Sequence, residues 1–74
     1  MCGIIGIISD RDITGNIVSG LKRLEYRGYD SSGIATIQNG AIERRRASGK
    51  IKNLDAVISN HSIKGKTGIG HTRW

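Results

Sequence analysis

The residue with the clearest chemical potential in this 74-residue sequence is Cys2, which directly follows the first methionine. Methionine removal requires a small second side chain, so loss of Met1 would leave a free α-amino group and a thiol on one residue. An α-amino group has a pKa of about 7.7 to 8.0 and a thiol one of about 8.5, so the amine can accept the thiol proton near neutral pH. Cys2 can therefore supply both nucleophile and base. By type alone, a cysteine beside a β-branched run is more often a small buried hydrophobic residue.

A second candidate pair stands near the other end of the sequence, where Arg73 is followed by Trp74. A guanidinium can bind a carboxylate through two parallel hydrogen bonds, and an adjacent indole can shield a bound ligand from water. On residue type alone, an arginine is more often an exposed surface residue and a tryptophan more often a packing residue than part of a binding site. The pair is compatible with a carboxylate site but does not establish one.

Polar and aromatic side chains also gather in one segment, Tyr26-Arg27-Gly28-Tyr29-Asp30-Ser31-Ser32-Gly33. The segment fits neither helical nor strand periodicity and predicts a loop, where functional groups concentrate. The alternative is a self-satisfied turn, in which Asp30 and Ser31 bond to nearby backbone amides. His71, by type, is a structural or exposed imidazole rather than a ligand.

The chain is basic, with 12 Lys and Arg against 6 Asp and Glu and a net charge of +6. Clustered cations gain affinity for polyanions by releasing phosphate counterions, so a small basic RNA- or polyanion-binding module is the alternative function. Its basic residues would be those of 44–46 and 64–66. The Arg44-Arg45-Arg46 run is more often a solvated face, and Gly65-Lys66-Thr67-Gly68 has only six residues after it, too few for the two-helix context of a KH loop. Nucleic acid is the less favoured partner.

Two helices and a buried strand are predicted from periodicity. Residues 2–8 are a β-branched run typical of a buried strand. Asp12 is the predicted N-cap of an amphipathic helix whose apolar residues recur at helical spacing. A second helix follows Gly49 and ends at Asn60; its apolar face comprises Ile51, Leu54, Val57 and Ile58.

A β-hairpin is predicted around Asn39-Gly40, the preferred pair for a two-residue type I′ turn, with Ile37 opposite Ile42. The face of Ile42 continues to arginines, so the second strand is expected to leave the core partway. The last run, residues 67–74, is predicted to be the start of another strand or a loop.

This order predicts an α+β fold with a mainly antiparallel sheet and two helices, in a single domain. A core of this size seldom supplies more than a few kcal/mol, so independent stability is doubtful. One cysteine excludes an internal disulfide, and Cys2 with two histidines cannot form a four-ligand zinc site. The longest apolar run, residues 4–8, is far below the roughly 20 residues that span a bilayer. We expect a soluble cytoplasmic protein with no metal, cofactor or membrane partner.

Three segments, taken together and in order, resemble a known family: residues 1–6 (Met-Cys-Gly-Ile-Ile-Gly), 24–33 (Leu-Glu-Tyr-Arg-Gly-Tyr-Asp-Ser-Ser-Gly) and 68–74 (Gly-Ile-Gly-His-Thr-Arg-Trp). They are similar to the N-terminal part of the glutamine:fructose-6-phosphate aminotransferase, or glucosamine-6-phosphate synthase, family. That part is a class II glutamine amidotransferase domain. The resemblance implies an N-terminal-nucleophile hydrolase fold, in which two antiparallel sheets are sandwiched between helices (αββα).

By that resemblance, Cys2 is the nucleophile that attacks the glutamine side-chain amide and forms a glutamyl thioester, which water hydrolyses to glutamate after ammonia leaves. Arg73 matches the arginine that holds the glutamine α-carboxylate, and Trp74 begins the loop that closes over the site. Arg27 and the residues after it match a segment that lines the surroundings of the nucleophile.

The family pattern continues beyond Trp74 with the rest of the closing loop, an oxyanion hole and an aspartate for the glutamine amino group. Losing one oxyanion-hole donor costs about 10² to 10³ in rate. We therefore expect residues 1–74 to be a partial amidotransferase domain, truncated at its C-terminal side and inactive unless completed. Glutamine is the implied substrate, and a complementing chain or self-association is the expected partner.

Overall fold

The computed structural model describes residues 2–25 and 30–73, which form a four-stranded sheet and two helices. The elements in chain order are β1 (Gly3–Ile8), α1 (Thr14–Leu24), β2 (Ser31–Gln38), β3 (Ala41–Ser48), α2 (Ile51–Asn60) and β4 (Thr67–Arg73). The strands lie in the order β1-β4-β2-β3, and every neighbouring pair is antiparallel. The predicted α+β class, with an antiparallel sheet and two helices, is confirmed.

The hairpin between β2 and β3 has the predicted register. Ile37 pairs with Ile42 and Gln38 with Ala41, which leaves Asn39 and Gly40 as the two turn residues. Both have positive φ, 53° and 79°, as a type I′ turn requires. The Asn-Gly pair therefore sets the register of the whole hairpin.

β2 and β3 are both longer than the sequence predicts. β2 begins at Ser31, inside the segment predicted as a loop, and β3 stays paired to Ser48 instead of leaving the sheet partway. β3 can stay paired without burying its arginines, because side chains alternate along the strand. Arg44 and Arg46 lie on the face of the sheet that no helix covers. Arg45, on the opposite face, donates to the carbonyl oxygens of His61 and Ser62 at 2.8 and 3.2 Å, beyond the end of α2.

β4 lies in the middle of the sheet, between β1 and β2, although its sequence shows no apolar alternation. Its helix-facing residues are Gly68, Gly70 and Thr72, all buried. A methyl group on Gly70 would collide with Ile17 and lie 3.2 Å from Leu21 of α1. Glycine at this position lets α1 pack close to the central strand.

Both helices cover the same face of the sheet, and the core lies between them and the strands. The core residues are Ile13, Ile17, Val18, Leu21, Ile34, Ile51, Leu54 and Ile63. They come from both helices, from β2 and from the connections before α1 and β4. A 74-residue chain thus concentrates its apolar burial on one side of the sheet.

The start of α1 differs by one residue from the prediction, since Ile13 and not Asp12 is the N-cap. The Asp12 carboxylate accepts hydrogen bonds from the backbone N–H groups of Thr14 and Gly65, at 3.4 and 3.0 Å, so it ties α1 to the segment that leads into β4. Partial burial alone would raise the pKa of Asp12. The two backbone hydrogen bonds, a further hydrogen bond from the Thr14 hydroxyl and the charge of Lys64 together outweigh this effect. The pKa is lowered from 3.8.

Candidate functional site

Cys2, the proposed nucleophile, is exposed and immediately precedes β1. Side chains alternate along a strand, so Cys2 falls on the same side as Ile4, Gly6 and Ile8. This side is the one without helices, which we call the open face. The thiol therefore stands at one end of the open face.

Arg73 lies on the open face next to Cys2. β1 pairs with β4 so that Gly3 is opposite Thr72, and the same register extended by one residue places Cys2 opposite Arg73. The Ser9 N–H donates to the Lys66 carbonyl oxygen at 2.8 Å, so the odd-numbered residues of β1 form the hydrogen-bonded pairs with β4. Cys2 and Arg73 are thus a non-hydrogen-bonded pair, the kind whose Cα atoms lie only about 4.5 Å apart. The two ends of the sequence meet here.

The Arg73 guanidinium has one ion-pair partner among the described residues, Asp30, with 4.0 Å between Nε and Oδ2. Both side chains are largely exposed, 73% and 66%, so solvent screens the contact and it is weak. The backbone of Asp30 is held more firmly, because its carbonyl oxygen accepts a 2.9 Å hydrogen bond from the Gly49 N–H. Arg73 is therefore available to an incoming carboxylate that can displace Asp30.

The next row of the open face carries Ile4, His71, Gly33 and Arg46, which are successive cross-strand partners. His71 lies over Gly33, since a Cβ on that glycine would be 2.7 Å from the histidine Nε2. The Arg46 side chain approaches the same point, at 3.2 Å. Gly33, the last residue of the motif at residues 24–33, thus makes room for two polar side chains beside the Cys2–Arg73 pair.

Residues beneath this site are structural. Ser32 and Thr72 are opposite each other on the helix-covered face, are buried, and have hydroxyl groups that make no hydrogen bond in the described part of the chain. Glu25, also in the motif, accepts a 2.9 Å hydrogen bond from the Ile51 N–H at the start of α2. Part of the motif therefore serves folding, a role that the sequence analysis missed although Glu25 stands just after α1.

Two predicted site residues, Arg27 and Trp74, lie outside the described residues. The structure brings Cys2 and Arg73 together and adds Asp30, which the sequence analysis places in the segment after Arg27, either in a self-satisfied turn or near the nucleophile. Its presence in the same motif as Arg27 was the available signal. Among residues 2–25 and 30–73, no group of three or more His, Cys, Asp or Glu side chains could hold a metal ion.

The basic segments do not form one surface. Arg45 is occupied with the end of α2, while Arg44 and Arg46 lie on the open face. Gly65 to Gly68 leads directly into β4, with the Gly65 N–H bound to Asp12, so it is not a loop between helices. Within the described ranges, no helix is long and apolar enough to cross a membrane.

Comparison with known proteins agrees with the motifs. The chain is 58% identical over all 74 residues to the glutamine--fructose-6-phosphate aminotransferase (isomerizing) of Brucella abortus biovar 1 (strain 9-941), and 57% identical to the protein of that name from Zymomonas mobilis subsp. mobilis. The corresponding protein of Caulobacter vibrioides is 55% identical. Each match covers 100% of this chain and 12% of the relative. No protein-family model matches.

These matches support an origin among glutamine amidotransferases and give no support to the polyanion-binding alternative. The chain spans about an eighth of the length of the curated relatives it matches. The resemblance that the three sequence segments indicate is therefore confirmed: over its whole length, this chain is similar to glutamine--fructose-6-phosphate aminotransferase, consistent with the N-terminal glutaminase region of those enzymes.

Proposed function

We propose that residues 1–74 are the nucleophile-bearing part of a class II glutamine amidotransferase domain, with glutamine bound at the Cys2 end of the open face. The observation that carries the proposal is the β1–β4 register, which places a potential N-terminal thiol opposite an exposed arginine. Glutamine has a carboxylate at one end and an amide at the other. An arginine beside a thiol can hold the first while the second meets the sulfur.

In the proposed reaction, loss of Met1 leaves the Cys2 α-amino group free to accept the thiol proton. The thiolate attacks the side-chain amide carbon, the C–N bond breaks, and the amine returns the proton as ammonia leaves. Water then attacks the thioester, which gives glutamate and frees the thiol. Arg73 binds the α-carboxylate throughout and replaces its weak contact with Asp30.

Arg27 and Trp74 are proposed, by resemblance alone, to line the nucleophile's surroundings and to begin the closing loop. The domain is proposed to be an αββα sandwich. Its second sheet would cover the open face, where Ile4, Ile8 and Ile42 are between 73% and 84% exposed. That layer would also supply the oxyanion hole, without which turnover would be small. The chain on its own is therefore proposed to be inactive.

A chimera tests the proposal. Residues 1–74 of this chain would replace the matching segment of the Brucella abortus aminotransferase, and glutamate release from glutamine would be measured. We expect activity, its loss in Cys2→Ala, and a raised KM for glutamine in Arg73→Lys, because lysine cannot reproduce a two-bond carboxylate contact. Arg44→Lys, on the same face but two rows away, is the matched control and should leave KM within about twofold.

Labelling separates carboxylate recognition from thiol reactivity. In the chimera, a glutamine analogue with an electrophile in place of the amide should label Cys2 faster than it labels free cysteine, and Arg73→Lys should slow only that reagent. A plain alkylating agent should label Cys2 at the same rate in the wild-type chimera and in its Arg73→Lys variant. If Arg73→Lys slows both reagents alike, or neither, the carboxylate role of Arg73 is wrong; an inactive, folded chimera would contradict the proposed function.

A further inference from the structure

The start of α2 is capped by a side chain that comes from outside that helix. The first N–H groups of a helix have no partner within it, and the N-cap residue here is Lys50, whose ammonium has no acceptor to offer them. The Ile51 N–H donates instead to Glu25 Oε2, at 2.9 Å. Glu25 directly follows α1, so one carboxylate joins the end of α1 to the start of α2.

The connection between β3 and α2, residues 48–51, also holds the beginning of β2. Its Gly49 N–H donates to the Asp30 carbonyl oxygen at 2.9 Å. Asp30 directly precedes Ser31, the cross-strand partner of Arg73 in β4. Because the bond is to the Asp30 backbone, it acts on the position of β2 and not through the Asp30 carboxylate. The 48–51 connection therefore supports the strand next to Arg73.

The 48–51 connection has a defined conformation of its own. Gly49 has a φ of 84°, in the left-handed region that favours glycine. The Asn53 side-chain amide donates to the Ser48 carbonyl oxygen at 2.9 Å and passes close to Gly49, where a Cβ would lie 2.7 Å from the amide nitrogen. Ile51 is 1% exposed and is part of the core. A displacement of Ile51 should therefore also displace Gly49.

The end of α1 lies beside the strand that carries the proposed nucleophile. Leu24, the last residue of α1, lies over Gly3, since a Cβ on that glycine would be 2.8 Å from Leu24 Cδ1. Gly3 directly follows Cys2. The next residue after α1, Glu25, closes the helix, because its N–H donates to the Leu21 carbonyl oxygen at 3.0 Å. Glu25 is thus fixed at the end of α1 that packs next to Cys2.

We propose that Glu25 is a positioning residue for the Cys2–Arg73 pair. Its carboxylate sets the end of α1, which packs beside Cys2, against the 48–51 connection, which supports the strand next to Arg73. The proposal rests on the glutamine site proposed above and gives Glu25 no contact with the substrate. Misplacement of reacting groups by about 1 Å can cost up to about a hundredfold in rate, so a residue outside the site can affect the reaction.

In this role, Glu25 needs an acceptor oxygen at the right reach rather than a negative charge. Glu25→Gln retains the side-chain length and an acceptor oxygen, Glu25→Asp retains the charge but is one methylene shorter, and Glu25→Ala retains neither. In the chimera, KM for glutamine should stay within about threefold of wild type in Glu25→Gln and rise at least about fivefold in the other two variants. Labelling of Cys2 by the glutamine analogue should slow in the same order, while the rate with a plain alkylating agent is unchanged.

Asp55→Ala is the matched control for Glu25→Ala. The Asp55 carboxylate accepts a 2.9 Å hydrogen bond from Lys22 Nζ, so it also joins α1 to α2, and its removal changes the charge equally. It lies one helical turn beyond the 48–51 connection. KM and labelling in this variant should stay within about twofold of wild type. Equal effects of Asp55→Ala and Glu25→Ala would show that general loosening between the helices is responsible, and would overturn the proposal.

Hydrogen exchange tests the positioning role without relying on activity. Overlapping peptides that separate Gly49 from Ile51, analysed by mass spectrometry, should show faster exchange at both amides in Glu25→Ala and protection close to wild type in Glu25→Gln. A carboxylate that only caps α2 would leave Gly49 as protected as in wild type. That result would overturn the proposal, as would equal rises in KM for Glu25→Gln and Glu25→Ala.

The positioning role and the proposed function can fail separately. A folded wild-type chimera that releases no glutamate would contradict the proposed function, and exchange at Gly49 would still decide whether Glu25 positions the 48–51 connection. Circular dichroism ensures that the variants compared are folded. If Glu25→Ala does not fold, Glu25→Asp supplies both readouts.

Discussion

The two faces of the sheet contain similar residues in opposite environments. Along β1, Ile5 and Ile7 pack against the helix-side core, whereas Ile4 and Ile8 are 80% and 84% exposed. On the helix-covered face, Leu21 of α1 and Leu54 of α2 are completely buried. The open face carries Cys2 and Arg73, together with Arg44 and Arg46 of β3. The core therefore lies on one side of the four-stranded sheet and the proposed site on the other.

The same sheet therefore packs against helices on one face and presents exposed side chains on the other. Glycines of β4 draw α1 against the covered face, while the same strand presents Ile69, His71 and Arg73 on the other side. A substitution on one face should then affect mainly folding, and one on the other mainly binding or association. The following predictions compare matched positions on the two faces.

The largest contrast is expected between Leu21→Ala and Ile8→Ala. Leu21 has 0% exposure, so its truncation creates a cavity and should cost about 2 to 5 kcal/mol. Ile8 is 84% exposed, so its truncation should change the free energy of unfolding by less than about 0.5 kcal/mol. Urea unfolding followed by circular dichroism measures both. Similar losses in the two variants would show that the open face is packed in solution.

Two glycines give the second contrast. A Cβ on Gly70 would collide with Ile17 and press on Leu21, whereas a Cβ on Gly6 meets only Ile69 Cγ2 at 3.9 Å. Gly70→Ala should cost about 1 to 3 kcal/mol through overpacking, and Gly6→Ala should be tolerated. Thermal unfolding of both variants at one protein concentration checks this. A stable Gly70→Ala variant would mean that α1 can move away from β4 without loss.

Particular residues explain which parts of the fold and of the candidate site could be predicted from the sequence. The Asn39-Gly40 turn has a specific backbone requirement, and the apolar faces of both helices have clear periodicity, so these elements were predicted correctly. β4 has glycines where a strand usually shows apolar residues, so its central position could not be derived. The approach of Cys2 to Arg73 depends on that central position. The family resemblance predicted both residues, but only the register shows that they are neighbours.

A smaller effect is expected from Asp12, which joins α1 to the approach of β4 on the covered side. Its pKa is lowered in the folded chain by hydrogen bonds from Gly65 and Thr14, against the opposing effect of partial burial. Its contribution to stability is therefore fully present well above the unfolded value of 3.8 and is lost as pH falls through the folded pKa. Wild type should lose stability on acidification through this window more steeply than Asp12→Asn.

Asp10→Asn is the matched control for this experiment. Asp10 has a 92% exposed side chain with two long, solvent-exposed contacts, to Arg11 at 3.8 Å and to the Ser9 hydroxyl at 3.4 Å, so its replacement should leave the acid dependence unchanged. Urea midpoints measured from neutral pH down to below 3.8 supply the comparison. Parallel curves for wild type and Asp12→Asn would contradict the role assigned to the Gly65 and Thr14 hydrogen bonds.

The smallest effect on folding is expected at the open face, from Asp30→Asn. Asp30 and Arg73 are both exposed and 4.0 Å apart, so loss of the ion pair should change stability by less than about 0.5 kcal/mol. The same change should matter more for binding, because Asp30 competes with an incoming carboxylate for the guanidinium. In the chimera, we expect labelling of Cys2 by the carboxylate-bearing glutamine analogue to accelerate by up to about fivefold, while a plain alkylating agent reacts at an unchanged rate.

Asp55→Asn, which removes the exposed Lys22–Asp55 pair between the helices, is the control of equal charge change. If Asp30→Asn slows the analogue, then Asp30 supports the position of Arg73 rather than competing for it, and the two faces of the sheet are less separate than the structure indicates.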